Sequence, residues 1–257
     1  MSAPDHPSGR ALLEALESGE VRVAEPGPDG AWRVHAWVKE GILALFRSSD
    51  NVDFEGGFVD REPLTTRRFD AAGGVRLVPG GSAVRRGAYV APGCVLMPPM
   101  YVNIGAWVGA GTMVDSHALV GSCAQIGERV HLSAGAQIGG VLEPVGSRPV
   151  IVEDDALIGA QCGLFEGVRI GRGAVLATGV VLTGSTPVYD LVAERELRGT
   201  PDEPLTIPPG AVVVPGARPA GGAWAAERGL SLQCAVIVKV RDEGTDQATA
   251  LEDALRL

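Results

Sequence analysis

The chain has 257 residues, 46% of them apolar, which is enough for one extended domain or two compact ones. It has 22 basic and 31 acidic residues and a formal net charge of −9, and it shows no basic stripe, which argues against a nucleic-acid-binding protein. The first residues lack the apolar core of a signal peptide, and no apolar run reaches the length of a membrane span. We therefore expect a cytoplasmic protein with no membrane or nucleic-acid partner.

The N-terminal part of the chain predicts a small α/β module. Residues 11–18 have the apolar spacing of a short amphipathic helix that ends at Gly19. Residues 21–25 alternate like a strand, and residues 37–49 again have helical spacing. The polar, glycine-containing stretch 50–74 predicts loops.

A repeat with a period of six follows this module. An aliphatic residue recurs at every sixth position from Val84 to Ile138 and, after a break, from Val152 to Val188. A residue that is usually small comes four positions after each. Six matches neither the helical period near 3.6 nor the strand period of 2, but it fits a coil of three short strands with 18 residues per turn. The aliphatic side chains then stack inside a prism, and the pattern predicts a mainly β protein with a left-handed parallel β-helix.

The break in the repeat, EPVGSRP at residues 143–149, predicts a loop ejected from the coil. Because Gly139 and Gly140 precede it and Pro144 lies within it, we interpret the loop as a shaped wall of a site. The alternative is a surface insertion without a function.

The C-terminal part predicts less regular structure. Residues 194–204 are polar and predict a loop, 207–219 a last partial turn of the coil, and 232–240 a strand. Residues 245–257 predict a terminal helix. We therefore divide the chain into three parts: an N-terminal module (1–80), the β-helix (81–215) and a C-terminal strand and helix segment (216–257).

The histidines and cysteines do not predict a metal site. No CxxC pair occurs, and the two histidines within the coil, His117 and His131, do not complete a zinc spacing. Cys94 and Cys162 fall in small inward slots of the repeat, which indicates buried structural thiols. An ice-binding surface would need a regular threonine face, and the outward positions are instead irregular and charged.

Five stretches in chain order resemble the bacterial tetrahydrodipicolinate N-succinyltransferase family: WVKEGILALFRSSDN, VRLVPGGSAVRRGAYVAPGCVLMPP, the run from MYVNIG to GGVLEP, PVIVEDDALIGA and CAVIVKV. The similarity extends from about residue 11 to the last strand. It implies a homotrimer that binds acyl-CoA in a groove between adjacent coils, with no tightly bound cofactor. The implied reaction is transfer of succinyl from succinyl-CoA to the amine of ring-opened tetrahydrodipicolinate, an amino-diacid of the lysine and diaminopimelate pathway, without a covalent enzyme intermediate.

The resemblance also implies roles for three charged residues. Asp115, in GTMVD, would bind the acceptor ammonium and later accept its proton, so it is both a substrate-binding and a catalytic candidate. Its alternative is a corner aspartate that bonds its own backbone. Arg76, in GVRLVP, would hold an acceptor carboxylate across the subunit boundary, and its alternative is a solvated surface arginine. Glu166 matches a separate family glutamate and is the second catalytic candidate.

Further residues are expected around the substrates. Ser122, Gly139 and Gly140 are expected to line the acceptor pocket. Three more residues are candidates for acyl-CoA binding: Ser185, Arg218 and Lys239. For the two cations the alternative is an ordinary solvated charge.

Two departures from the family bear on the acyl group. The family commonly reads GARSE where this chain has GAQCG, so its arginine is Gln161 and its glutamate is Gly163. A basic residue expected after the GQST stretch is Pro187 here. A charged acyl group needs cationic or polar partners, so these losses weaken the case for succinyl. Three hypotheses stay open. The first is the succinyltransferase. The second is a paralogue, for example of secondary metabolism, that uses acetyl-CoA, another acyl-CoA or a related amino-diacid acceptor. The third is a non-catalytic trimeric scaffold.

Overall fold

The computed structural model describes residues 6–200 and 203–241. The N-terminal module contains two helices and two hairpins, which are α1 (Gly9–Ser18), β1 (Ala24–Pro26), β2 (Trp32–Val34), α2 (Ala36–Ser48), β3 (Asn51–Phe54) and β4 (Phe58–Arg61). The helices predicted at 11–18 and 37–49 are confirmed as α1 and α2. The terminal helix predicted at 245–257 lies outside the described residues.

Seventeen two-residue strands then build the coil. They are β5 (Arg76–Leu77), β6 (Ala83–Val84), β7 (Tyr89–Val90), β8 (Val95–Leu96), β9 (Tyr101–Val102), β10 (Trp107–Val108), β11 (Met113–Val114), β12 (Leu119–Val120), β13 (Gln125–Ile126), β14 (His131–Leu132), β15 (Gln137–Ile138), β16 (Ile151–Val152), β17 (Leu157–Ile158), β18 (Gly163–Leu164), β19 (Arg169–Ile170), β20 (Val175–Leu176) and β21 (Val181–Leu182). The rest of the described chain adds β22 (Val188–Asp190), β23 (Arg195–Leu197), β24 (Thr206–Ile207), β25 (Ala211–Pro219), the short helix α3 (Ala223–Glu227) and β26 (Ser231–Val240).

The coil is a three-sided parallel β-helix, as the period of six predicts. Successive strands lie on three faces in rotation, and each strand pairs in parallel with the strand three places on. We call these face 1 (β5, β8, β11, β14, β17, β20, β25), face 2 (β6, β9, β12, β15, β18, β21) and face 3 (β7, β10, β13, β16, β19, β24). The second residue of each rung strand is the predicted aliphatic one, and from Val84 to Leu182 these side chains are at most 5% exposed and form one continuous core.

The corners turn through residues in the left-handed backbone region, where glycine has no steric penalty. Gly87, Gly105 and Gly167 have φ between 70° and 75° at equivalent positions of the corner between faces 2 and 3. Cys123 takes the same place with φ 67°, and its buried thiol packs in a second apolar cluster with both N-terminal helices. The N-terminal module is therefore seated on this corner.

Two segments leave the coil at the corner between faces 2 and 3. Residues paired across face 1 are normally 18 apart, as in Met113 and His131, but His131 pairs with Leu157, 26 residues on. The eight extra residues belong to the loop between β15 and β16, the predicted ejected loop. The second departure, between β21 and β24, carries β22 and β23. Both loops therefore stand beside the module at one edge of the prism.

The C-terminal strands extend face 1 beyond the coil. β25 pairs in parallel with β20 and antiparallel with β26, and β26 pairs in parallel with β22. The strand predicted at 232–240 is confirmed as part of β26. None of the helices within the described ranges is long and apolar enough to cross a membrane.

The structure adds elements that the sequence analysis missed. Residues 50–74, predicted as loops, contain the hairpin β3–β4, whose turn is made by Gly56 and Gly57. The alternation of Val52 and Phe54 was the available signal, and it was too short to separate from loop composition. The polar stretch 194–204, also predicted as a loop, contains β23, which is held by pairing with β22.

Candidate active site

A cavity of about 1310 Å³ lies at the corner between faces 2 and 3. The two ejected loops form two of its walls, and Trp32 and Val34 of the N-terminal module reach its edge. Its floor consists of outward residues of the coil. The described residues that line it include Gly139, Gly140, Ser147, Arg148, Phe165, Glu166, Thr183, Gly184, Ser185, Thr200 and Pro204. Four of the candidate site residues, Gly139, Gly140, Glu166 and Ser185, lie together at this cavity.

Glu166 projects from a strained part of the cavity floor. Its φ is 56°, in the left-handed region, and that of the following Gly167 is 70°. Such backbone conformations in residues other than glycine concentrate at functional sites. Its Oε2 accepts a hydrogen bond of 3.0 Å from the backbone N–H of Gly184 on the next rung, so the exposed carboxylate is held in place at the cavity.

Gly139 and Gly140 leave no space for side chains where the loop departs. A Cβ at Gly139 would lie 2.7 Å from Cδ1 of Phe165, and one at Gly140 would lie 2.7 Å from the backbone nitrogen of Ser122. Ser122 is therefore directly against Gly140 but is not among the described residues that line the cavity. Ser185, by contrast, lines it, with its Oγ 3.3 Å from Oγ1 of Thr183.

Asp115 and Arg76 lie away from this cavity. Asp115 follows β11 at the corner between faces 1 and 2, half-buried, and its Oδ1 accepts from its neighbour's N–H, that of Ser116, at 2.7 Å. Arg76 is exposed on the first strand of face 1, and no carboxylate of the described residues lies within 4.0 Å of it. One chain therefore presents two groups of candidate residues at two different corners of the prism.

Arg218 and Lys239 are on the β25–β26 hairpin and also lie outside the cavity. Arg218 pairs with Leu232 and Lys239 with Val212, so the two cations are near opposite ends of the hairpin. The Nε of Arg218 is buried and has no hydrogen-bond partner among the described residues. The structure does not bring these cations together with Ser185 within one chain.

The departure at Gly163 has a structural counterpart. A Cβ at Gly163 would lie 2.6 Å from Cε2 of Phe165, because the phenylalanine ring covers this position on face 2. The space in which a glutamate side chain would start is therefore filled by an aromatic ring. Gln161 lies at the other corner, between faces 1 and 2, with its amide group stacked against Gly135.

Two basic residues, one that lines the cavity and one that lies behind its wall, were missed by the sequence analysis. Arg148, in the ejected loop, donates from Nε to the carbonyl of Gly167 at 3.0 Å and from Nη2 to that of Pro204 at 2.9 Å. Burial, followed by repulsion from Arg169, lowers the pKa of Arg148 to about 10. Lys39 of α2 donates to the carbonyl of Ser147 at 2.6 Å. The letters SR in EPVGSRP were the only signal for Arg148, and nothing local pointed to Lys39.

Within residues 6–200 and 203–241, no three His, Cys, Asp or Glu side chains come together in a metal-binding cluster.

Two parts of the chain match family descriptions of known proteins. The family description "Tetrahydrodipicolinate N-succinyltransferase N-terminal" matches residues 10–48, and "Hexapeptide repeat of succinyl-transferase" matches residues 149–184. A solved structure from Campylobacter jejuni, which carries the name 2,3,4,5-tetrahydropyridine-2-carboxylate N-succinyltransferase, superposes with a TM-score of 0.55 at 20% identity. The match covers 89% of this chain and 61% of that one, and it shows a shared fold.

Curated relatives are considerably more similar. The 2,3,4,5-tetrahydropyridine-2,6-dicarboxylate N-succinyltransferase of Bradyrhizobium diazoefficiens is 46% identical over 255 residues, which covers 95% of this chain and 88% of the relative. The protein of the same name from Paramagnetospirillum magneticum is also 46% identical and covers 96% of this chain and 88% of the relative. The chain therefore belongs to the tetrahydrodipicolinate N-succinyltransferase family.

Proposed function

We propose that the protein is an N-acyltransferase that moves the succinyl group of succinyl-CoA to the amine of ring-opened tetrahydrodipicolinate. The names of its relatives and its membership of their family support this activity. In this reaction the amine nitrogen attacks the thioester carbonyl, the new C–N bond forms and the C–S bond breaks. The amine loses a proton to a base, and the CoA thiolate gains one.

We further propose that the enzyme acts as a homotrimer of left-handed coils with its sites between subunits. The observation that carries this proposal is the split of the candidate residues between two corners. Asp115 precedes β12 and Glu166 follows β18, so one whole side of the prism and two rungs, about 10 Å along the axis, separate them. A second copy placed against the corner between faces 2 and 3 would bring Asp115 of one subunit to the cavity of the next.

The roles of the residues follow from their chemistry. Asp115 would bind the acceptor ammonium and accept its proton, and Arg76 of the same subunit would bind an acceptor carboxylate through its planar guanidinium. Glu166, Gly139, Gly140 and Ser185 would come from the cavity of the adjacent subunit. Ser122, on the preceding rung, would pack against Gly140 and keep it in position.

The thioester oxyanion would be stabilised by main-chain N–H groups of the cavity wall. Arg218 and Lys239 are proposed to contact CoA phosphates from the C-terminal hairpin, which projects beyond the coil. Because the charged groups of the family are absent at Gly163, Gln161 and Pro187, acetyl-CoA is the donor to compare with succinyl-CoA.

The test is release of CoA thiol with succinyl-CoA and with acetyl-CoA on the same acceptor. We expect turnover with succinyl-CoA that Asp115→Asn abolishes while the oligomer stays intact. Turnover with acetyl-CoA alone would contradict the succinyl assignment. Absence of thiol release with either donor and any amino-diacid would contradict the enzyme.

A further inference from the structure

Arg148 differs from the other residues of the cavity because its guanidinium is fixed by hydrogen bonds but forms no ion pair with the described residues. Among the described residues that line the cavity, it alone carries a positive charge. No carboxylate of residues 6–200 and 203–241 lies within 4.0 Å of its guanidinium. Pro187, two residues beyond Ser185, supplies no charge here.

The carboxylates beside Arg148 have other partners, and Glu166 of the same cavity accepts from the N–H of Gly184. Glu153, which lies close enough to influence the pKa of Arg148, accepts hydrogen bonds from Nε of Arg169 at 2.7 Å and from Nε1 of Trp32 at 3.3 Å. Glu143, at the cavity rim, lies 3.8 Å from Arg47. None of these carboxylates therefore forms an ion pair with Arg148.

The guanidinium is nevertheless fixed in position. Nε and Nη2 donate to the carbonyls of Gly167 and Pro204, which belong to the coil and to the second ejected loop. The preceding carbonyl, that of Ser147, is held by Lys39. These contacts leave Nη1 without a hydrogen bond to the described chain. An arginine whose Nε and Nη2 are hydrogen-bonded and whose Nη1 is free is preorganised to donate to an oxyanion.

We propose that Arg148 is the anion-binding residue of the acyl-donor site, with the terminal carboxylate of a succinyl group as its ligand. The inference rests on the proposed function, because it assigns the donor to this cavity. Arg148 supplies a positive charge that the residues at the family positions, Gln161 and Pro187, do not provide in this chain. A phosphate of CoA has the same oxyanion chemistry, and the experiment separates the two sources.

The experiment measures binding by calorimetry, without acceptor, of four thioesters: succinyl-CoA, acetyl-CoA, succinyl-pantetheine and acetyl-pantetheine. In Arg148→Gln we expect succinyl-CoA and succinyl-pantetheine to bind at least about tenfold more weakly, as for loss of a charged hydrogen bond, and both acetyl thioesters to bind unchanged. Arg148→Lys should recover part of the loss. Arg198→Gln, an exposed arginine outside the cavity, is the matched control and should bind all four like the wild type.

The other possible binding results with Arg148→Gln distinguish the alternatives. Weakening of both CoA thioesters but of neither pantetheine compound would assign the same site to a phosphate and overturn the carboxylate assignment. Equal weakening of all four, or of none, would overturn the anion site, since a purely structural arginine affects every donor alike. If the wild type binds succinyl-CoA but never transfers the group, the proposed function fails and the anion site stands. If the wild type transfers succinyl and Arg148→Gln does so with unchanged KM, the anion site fails alone.

Discussion

Lys39 and Ser147 connect the N-terminal module to the ejected loop. The Nζ of Lys39 donates to the carbonyl of Ser147 at 2.6 Å, although the two residues are 108 positions apart. Lys39 is fully buried, and this burial lowers the pKa of its ammonium group. A buried cation that donates to a main-chain carbonyl fixes that segment of backbone, so the module contributes directly to the shape of the cavity.

We predict that Lys39→Met loosens the loop. The variant keeps an unbranched apolar side chain one atom shorter but leaves the Ser147 carbonyl without its donor. The lost charged hydrogen bond is worth about 1.5–3 kcal/mol. Hydrogen exchange of residues 140–149 should become faster, and KM for acyl-CoA should rise more than kcat falls. Glu40→Gln, on the exposed side of the same helix, is the control, and unchanged exchange in Lys39→Met would show that the contact does not hold the loop.

The stacking of glycines where the loop departs gives a second prediction. A Cβ at Gly121 would lie 2.3 Å from the backbone nitrogen of Gly140, and backbone cannot move aside as a side-chain end can. Gly121→Ala should therefore lower the free energy of unfolding by about 1–3 kcal/mol or more, the usual cost of overpacking. Gly146→Ala, in the same loop but with nothing within 4 Å, should be close to neutral. Equal thermal midpoints for the two variants would refute this account of the corner.

Phe165 and Gly163 should behave as a coupled pair. Gly163→Glu alone places its Cβ against the Phe165 ring and should destabilise the protein, whereas Phe165→Val should free that space at a smaller cost. The double variant Gly163→Glu/Phe165→Val should then be more stable than the sum of the two single effects predicts. Denaturant unfolding of all four proteins measures the coupling. Additive effects would mean that the ring does not exclude the glutamate.

The four cysteines are buried in the described structure and carry no disulfide. Burial raises the pKa of Cys123 to about 12 and that of Cys162 to about 11, from an ordinary value of 9.0. At pH 8 the native protein should therefore react slowly with a thiol reagent, and unfolding should expose four thiols. Because the folded pKa values lie above the unfolded one, the neutral thiols favour the folded state. Their contribution to the free energy of unfolding is complete below pH 9 and is lost as the pH rises from 9 towards 12. Rapid labelling of Cys123 in the native state would contradict this burial.

Much of the coil could be predicted because a period of six leaves few alternatives. Counting in steps of six from Val84 places the rungs as far as Ile138, a new count from Val152 places those as far as Leu182, and the first count puts Asp115 and Gly139 at different corners. The sequence did not predict which side chains cover one another across rungs, such as Phe165 over Gly163. It also did not predict Lys39 or Arg148 at the cavity, because both depend on where the module and the loops settle against the coil. Those contacts join residues distant in sequence and leave no local pattern.

The separation of Asp115 and Glu166 on one chain makes the shared site directly testable. Asp115→Asn and Glu166→Gln should each be inactive when assembled alone, since each removes one half of every site. When the two variants are unfolded together and refolded as mixed trimers, about a quarter of the sites should pair an intact Asp115 with an intact Glu166 from the neighbouring subunit. The account predicts that about a quarter of the wild-type thiol-release activity returns. No recovery from mixed trimers that have demonstrably formed would contradict a site built between subunits.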